Sequence, residues 1–142
     1  MTVSNRFTTE TIIRARYAET DAQGVVHHSN YIVWFEAARS DYSRERGHSY
    51  AEFEQQGRML MVSEIQVRYI RPTVYDQVVV VRAWIETMKS RQVVFGYEVC
   101  DAASRDTLVT GTTKHICVDR SGRVVPIPPE WRAWGDDITH DG

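Results

Sequence analysis

The sequence predicts an α+β domain in which a five-stranded antiparallel sheet wraps around one long helix. Three observations predict this fold. One stripe of large apolar residues recurs at helical spacing, five segments alternate apolar and polar residues, and the later segments are joined by short polar links. A chain of 142 residues is long enough to bury a sizeable core in one such domain.

The first two elements are a strand and the long helix, with a polar loop between them. The segment Thr11–Tyr17 alternates and predicts a half-buried strand, whose apolar face carries Ile13, Ala15 and Tyr17. Ala18–Asn30 is rich in polar and small residues, which is typical of a loop. From about Tyr31 to Arg46 the apolar residues follow a helical period, and Gly47 is a natural end for that helix.

The rest of the chain is mostly strand. The spacing of Ser49 and Glu52 is that of a capping box, so we expect a short second helix that ends at Gly57. Four alternating segments then predict four strands, at about Met61–Tyr69, Val79–Glu86, Val93–Val99 and Leu108–Val118. The tail, Pro126–Trp134, is expected to hold at most one helical turn. Because the links are short, we expect the four strands to pair antiparallel.

The helix can cover only one face of the sheet. We therefore expect the other face of valine-rich segments such as Val78–Val81 to stay partly exposed in a single chain. An exposed apolar sheet face favours a dimer or a larger assembly.

Composition excludes several classes of function. The formal charge is −2 and no block of like charges occurs, so the basic field needed for nucleic-acid binding is missing. The apolar runs fall far short of the ~20 residues of a membrane span, and the first residues lack the apolar core of a secretory signal. Cys100 and Cys117 are isolated, which favours free thiols in a reducing compartment, and hence the cytoplasm.

The loop before the long helix carries the groups that are best suited to catalysis. The first turn of a helix has unpaired N–H groups and a positive dipole end, which can stabilise an oxyanion. Asp21 lies at the other side of the same loop, and Gly24 allows a tight turn between them. A carboxylate and amide donors facing one space can hydrolyse an activated acyl group. Spacing alone leaves a second interpretation open, in which Asp21 and Glu19 cap turns while His27 and His28 are exposed loop residues.

A family resemblance favours the first interpretation. The motif Asp-x-x-Gly-Val-Val-x-His-x-Asn-Tyr, at residues 21–31, is followed by Trp-Phe-Glu-x-Ala-Arg at residues 34–39. Together they resemble the signature of hotdog-fold acyl-CoA thioesterases, and the closest group is the 4-hydroxybenzoyl-CoA thioesterase family. The similarity extends over roughly residues 10–130 and includes Glu64–Pro72 and Cys117–Gly122.

The resemblance implies a hotdog fold and hydrolysis of an acyl-CoA or acyl carrier protein thioester. It implies that Asp21 is the catalytic carboxylate and that the backbone N–H of His28 polarises the thioester carbonyl. Tyr31 is close enough to line the acyl pocket. No metal or cofactor is implied, since coenzyme A is part of the substrate.

The family also implies an assembly. Two sheets join edge to edge in a homodimer, the active sites lie between the subunits, and dimers often pair into homotetramers. The phosphates of coenzyme A are expected near the turn Lys89-Ser90-Arg91, which presents two cations. A solvated hairpin turn is the alternative interpretation of these three residues.

Other reactions fit the sequence less well than hydrolysis does. Hotdog dehydratases typically pair a loop histidine with an acid on the helix, whereas here the acid precedes the helix. A non-catalytic acyl-CoA sensor is expected to carry an additional regulatory segment. Adjacent His27 and His28 make poor metal ligands because their side chains diverge, and no G-x-S-x-G motif of a serine hydrolase occurs. Whether Asp21 acts as nucleophile or general base stays open, as does the acyl group.

Overall fold

A computed structural model describes residues 6–137, which form one sheet and its helices. The strands are β1 (Thr9–Arg14), β2 (Arg58–Tyr69), β3 (Val78–Met88), β4 (Gln92–Asp101) and β5 (Thr107–Asp119). The α-helices are α1 (Asn30–Glu45), α2 (Tyr50–Gln55) and α3 (Pro129–Arg132). Two short 3₁₀ turns lie at Tyr17–Glu19 and Ala133–Asp137.

The five strands form one antiparallel sheet in the order β1-β3-β4-β5-β2. The predicted antiparallel pairing is therefore confirmed. However, β2 pairs with β5 and not with β3, its successor along the chain. The link between β2 and β3 consequently runs past the ends of β4 and β5, and β1 and β2 become the two edge strands.

Helix α1 packs on one face of the sheet because its apolar stripe matches the inward residues of the strands. Trp34, Phe35, Ala38 and Tyr42 are all buried. The Phe35 ring stacks on Tyr97 of β4, with 4.3 Å between ring centroids. Gly111 of β5 makes this close approach possible, since a Cβ there would lie 2.7 Å from the Phe35 ring.

Most predicted elements are confirmed. Helix α1 begins and ends within a residue of the prediction, and the Ser49 side chain caps α2 by accepting the Glu52 N–H. The tail holds slightly more helix than predicted, because the 3₁₀ turn follows α3 directly. Cys100 and Cys117 are free thiols, as predicted, and both are buried. Across residues 6–137, the helices are all too short or too polar to cross a membrane.

Two expectations were wrong. Tyr17 does not extend the apolar face of the first strand, because the strand ends at Arg14 and Tyr17 is 75% exposed in the following turn. The valine-rich stretch is also less exposed than expected, since on the face away from α1 Val78 is half-buried and Val80 is only 4% exposed. On that face Val80 lies between its cross-strand partners, Ile12 of β1 and Cys100 of β4.

The exposed apolar surface lies instead along β2. This strand has one free edge, and most of its residues are exposed on both faces of the sheet. Its large exposed apolar residues are Met59, Met61, Val62, Ile65 and Tyr69. An apolar edge strand of twelve residues is a surface that pairs readily with another strand.

The core contains one histidine that should make stability depend on pH. His115 is fully buried, and burial together with the positive charge of Arg39 lowers its pKa to about 3. An unfolded chain binds the proton below about pH 6.5. We therefore expect the free energy of unfolding to fall by about 1.4 kcal/mol per pH unit as pH drops below 6.5 towards 3.

Urea unfolding between pH 7 and pH 5 measures this slope, before most carboxylates titrate. His115→Gln removes the titrating group, so its stability should vary much less over that range. The matched control is His48→Gln, at an imidazole that is 38% exposed, which should keep the wild-type slope. Equal slopes in wild type and His115→Gln would contradict the assignment.

Candidate active site in the loop before helix α1

Asp21 lies in a tight hairpin that covers one end of the sheet. Its N–H donates to the Val25 carbonyl (2.9 Å), and its own carbonyl accepts the Gly24 N–H (3.0 Å). Gly24 adopts a φ of 81°, the left-handed conformation that this turn requires. The Asp21 Oδ1 atom accepts the Gln23 N–H at 2.8 Å, while Oδ2 accepts no hydrogen bond from residues 6–137. One carboxylate oxygen thus supports the turn and the other is available.

The hairpin leads directly into helix α1. Ser29 precedes the helix, but its side chain does not cap the backbone. Instead the Ser29 hydroxyl lies 2.8 Å from the His27 Nδ1 atom. The His28 N–H donates to no acceptor within the described part of the chain, and the His28 carbonyl accepts the Tyr69 hydroxyl (3.1 Å). The Ser29 N–H donates to the His27 ring, and the Asn30 N–H donates to the His27 carbonyl. The His28 N–H is therefore the amide donor at this helix start that remains free for an oxyanion.

A cavity of about 280 Å³ borders this helix start. Its walls come from the return arm of the hairpin, the first residues of the helix and the end of β2, namely Val25, Val26, His28, Tyr31, Tyr69, Ile70, Arg71 and Pro72. Tyr31 is buried, and its hydroxyl donates to Thr73 at 2.9 Å. The lining is mostly apolar, as an acyl pocket would be. Trp34 does not line this cavity.

A larger cleft, about 560 Å³, lies between strands of the sheet away from the loop. Its lining includes Arg82, Trp84 and Glu98, on the face opposite α1. It contains neither Asp21 nor His28, whereas the smaller cavity is lined by His28 although not by Asp21. The smaller cavity is therefore the one that the chemistry of the loop points to.

The turn Lys89-Ser90-Arg91 is exposed and joins β3 to β4. It lies at the opposite end of the sheet from Asp21. The loop that carries Asp21 follows β1, whose last residue pairs with Val78 at the start of β3. The eleven residues of β3 span about 33 Å. A single chain consequently does not bring these cations to the candidate site.

Three residues of the site were not assigned to it from the sequence, where Glu19 was considered only as a turn cap. Glu19 is buried beneath the hairpin. The Thr73 hydroxyl accepts a hydrogen bond from the Tyr31 hydroxyl, and the Tyr69 hydroxyl donates to the His28 carbonyl at the start of α1. Glu19 lies inside the loop, so its acidic side chain two residues before Asp21 was a visible signal. Tyr69 and Thr73 come from a distant segment, and no local pattern links them to the loop.

Metal ligation by the loop histidines finds no support in the geometry. The His27 and His28 side chains do not diverge as expected, since their rings lie tilted at 33° with 4.0 Å between centroids, but His27 Nδ1 lies 2.8 Å from the Ser29 hydroxyl. Within residues 6–137, no three His, Cys, Asp or Glu side chains are grouped closely enough to hold an ion.

Comparisons with known proteins point to a thioesterase-like family. The sequence model of the thioesterase-like superfamily matches residues 15–135. The YneP protein of Bacillus subtilis (strain 168) is 37% identical over 108 residues, which cover 76% of this chain and 78% of YneP. The acyl-CoA thioester hydrolase YbgC of Escherichia coli O157:H7 is 28% identical over 108 residues, or 75% and 79% of the two chains.

A similar solved structure is the DHNA-CoA thioesterase of Staphylococcus aureus. It superposes with a TM-score of 0.85 at 35% identity, covering 89% of this chain and 87% of that enzyme. The α+β hotdog fold expected from the resemblance is therefore confirmed.

Proposed function

This chain belongs to the thioesterase-like superfamily and is a thioester hydrolase, and on that premise we propose that it cleaves acyl-CoA thioesters with Asp21 as its catalytic carboxylate. The observation that carries the proposal is the placement of Asp21. Its carboxylate keeps one free oxygen in a hydrogen-bonded hairpin that runs into an uncapped helix start. This is the pairing of a carboxylate with amide donors that acyl transfer needs.

In the proposed reaction the acyl group enters the cavity beside Tyr31, and the thioester oxygen accepts the His28 N–H. The oxygen gains charge as the carbonyl carbon becomes tetrahedral, and the dipole of α1 stabilises that charge. Asp21 either attacks the carbon itself or takes a proton from the attacking water. The products are a carboxylic acid and a free thiol. Neither route requires a metal or a cofactor, and the buried thiols of Cys100 and Cys117 support a reducing compartment, which we take to be the cytoplasm.

We further propose that the working enzyme is at least a homodimer joined through β2. Antiparallel pairing of two β2 strands about a twofold axis would satisfy the free edge and cover its apolar side chains. The same twofold rotation reverses the direction of the strands in the partner's sheet. The end of the partner's sheet that carries its own Lys89–Arg91 turn would then lie at the end that carries Asp21, so a long thioester could contact both.

A coupled thiol-release assay tests the activity. The purified chain is mixed with a thiol-trapping dye and a panel of aromatic, short-chain and medium-chain acyl-CoA substrates. Release of free coenzyme A from at least one member is the expected result. No thiol release from any of them would overturn the proposal, and loss or gain of enoyl absorbance without thiol release would indicate a dehydratase instead.

The Lys89–Arg91 turn should affect binding of the coenzyme A carrier and not binding of the acyl group. We expect the double variant Lys89→Ala/Arg91→Ala to raise KM for acyl-CoA by roughly tenfold or more, because each cation loses a charge-assisted contact with phosphate. KM for the matching acyl-pantetheine, which lacks the nucleotide, should not change. Lys114→Ala, at a cation on β5, serves as the control and should leave both values alone. An equal rise for both substrates would contradict a phosphate role.

A further inference from the structure

Glu19 is an unusual residue in this site because it is a buried carboxylate beside a catalytic loop. It lies two positions before Asp21 and is only 4% exposed. Of the Asp and Glu side chains in residues 6–137, it alone falls in the buried class. Burying a charge is costly unless hydrogen bonds compensate it.

The carboxylate of Glu19 binds two separate elements. Oε1 accepts the Arg16 N–H at 2.7 Å, at the exit of β1. Oε2 accepts the Trp34 indole N–H at 2.8 Å, from the second turn of α1. Burial raises the pKa of this carboxyl, but these two hydrogen bonds and the nearby Arg16 guanidinium outweigh it, so the pKa lies below its ordinary value.

The backbone of Glu19 makes two more links. Its carbonyl accepts the His27 N–H (2.8 Å) on the return arm of the hairpin. The same carbonyl accepts the side-chain amide of Asn30 (2.9 Å), the first residue of α1. One residue therefore ties the exit of β1, both arms of the hairpin and the start of the helix.

We propose that Glu19 is the positioning residue of this active site. It holds the hairpin that carries Asp21 in register with the first amides of α1, and this inference rests on the proposed function. Both carboxylate oxygens are already engaged, so Glu19 acts through the geometry of Asp21 and His28 and not on the substrate. Catalysis is sensitive to such geometry, since a misplacement of about 1 Å can cost about 10²-fold in rate.

Glu19→Gln tests the role with the smallest change in shape. Glutamine has one acceptor oxygen for two donors, so either the Arg16 N–H or the Trp34 indole N–H must face the NH₂ group. We expect kcat to fall by about 10²-fold while KM for acyl-CoA changes little. Trp34→Phe removes only one of the contacts and should give a smaller loss of kcat, and it keeps the test valid if Glu19→Gln folds poorly.

The pH profile separates positioning from direct proton transfer. If Glu19 only positions the hairpin, Glu19→Gln lowers kcat/KM at every pH. The acid limb of the profile, where kcat/KM falls at low pH, then stays at the same pH as in wild type. Loss of the acid limb would show that Glu19 is itself the titrating base and would overturn the proposal.

A control variant separates positioning from general loss of stability. Glu98→Gln alters another hydrogen-bonded carboxylate, on the face of the sheet opposite α1, where Glu98 accepts from Arg82 and Thr107. It should reduce thermal stability without reducing kcat. Glu19→Gln with wild-type kcat would overturn this inference while leaving the proposed function intact. A wild-type chain that hydrolyses no acyl-CoA would instead contradict the proposed function.

Discussion

Asp21→Asn should lower kcat by roughly 10²- to 10⁴-fold, because the variant loses its nucleophile or general base. The fold should survive the change. The side-chain oxygen of asparagine can still accept the Gln23 N–H that closes the turn, so the midpoint of thermal unfolding should stay near that of wild type. Thiol release at saturating acyl-CoA gives kcat, and full activity in this variant would remove Asp21 from the mechanism.

The chain offers a matched control at the other end of the sheet. Asp119 supports a turn in the same way, with its Oδ1 accepting the Ser121 N–H at 2.9 Å. Asp119→Asn should therefore leave kcat unchanged. With wild type, a single turnover in ¹⁸O-labelled water then distinguishes the two routes. Label in the Asp21 side chain would show attack by the carboxylate through a mixed anhydride, because only that route can place label there.

Met61→Lys should separate the proposed dimer and remove most of its activity. Met61 lies on the edge strand β2, is 53% exposed in a single chain, and would be buried by pairing of two β2 strands. Losing two buried methionines per dimer costs about 3 kcal/mol or more, which weakens the dimer by about 10²-fold. Sedimentation or size-exclusion chromatography over a range of concentrations measures the dissociation constant.

Activity per chain should then depend on concentration, recovering as the Met61→Lys variant is forced back into dimers. The control is Ile12→Lys on β1, the opposite edge strand, where Ile12 is 74% exposed. That variant should keep both the dimer and the turnover. A fully active Met61→Lys monomer would contradict an active site shared between subunits.

What the sequence determined by itself was the set of local elements and the candidate catalytic group. Helix α1 was predictable because its apolar stripe repeats within a few residues, and α2 because Ser49 and Glu52 are three residues apart. Gly24 was predictable as the turn residue, and its φ of 81° agrees. Asp21 could be proposed from the motif, since carboxylate, glycine and helix start are close neighbours along the chain.

Only the tertiary structure decided which elements meet. That β2 pairs with β5, and so becomes the free apolar edge, depends on contacts across about 50 residues, which no local period encodes. Glu19 and Asp21 are both acids of one loop, yet the first is buried against Trp34 and the second keeps a free oxygen. Burial and hydrogen bonding come from residues brought together by folding, and they set the different roles of the two carboxylates.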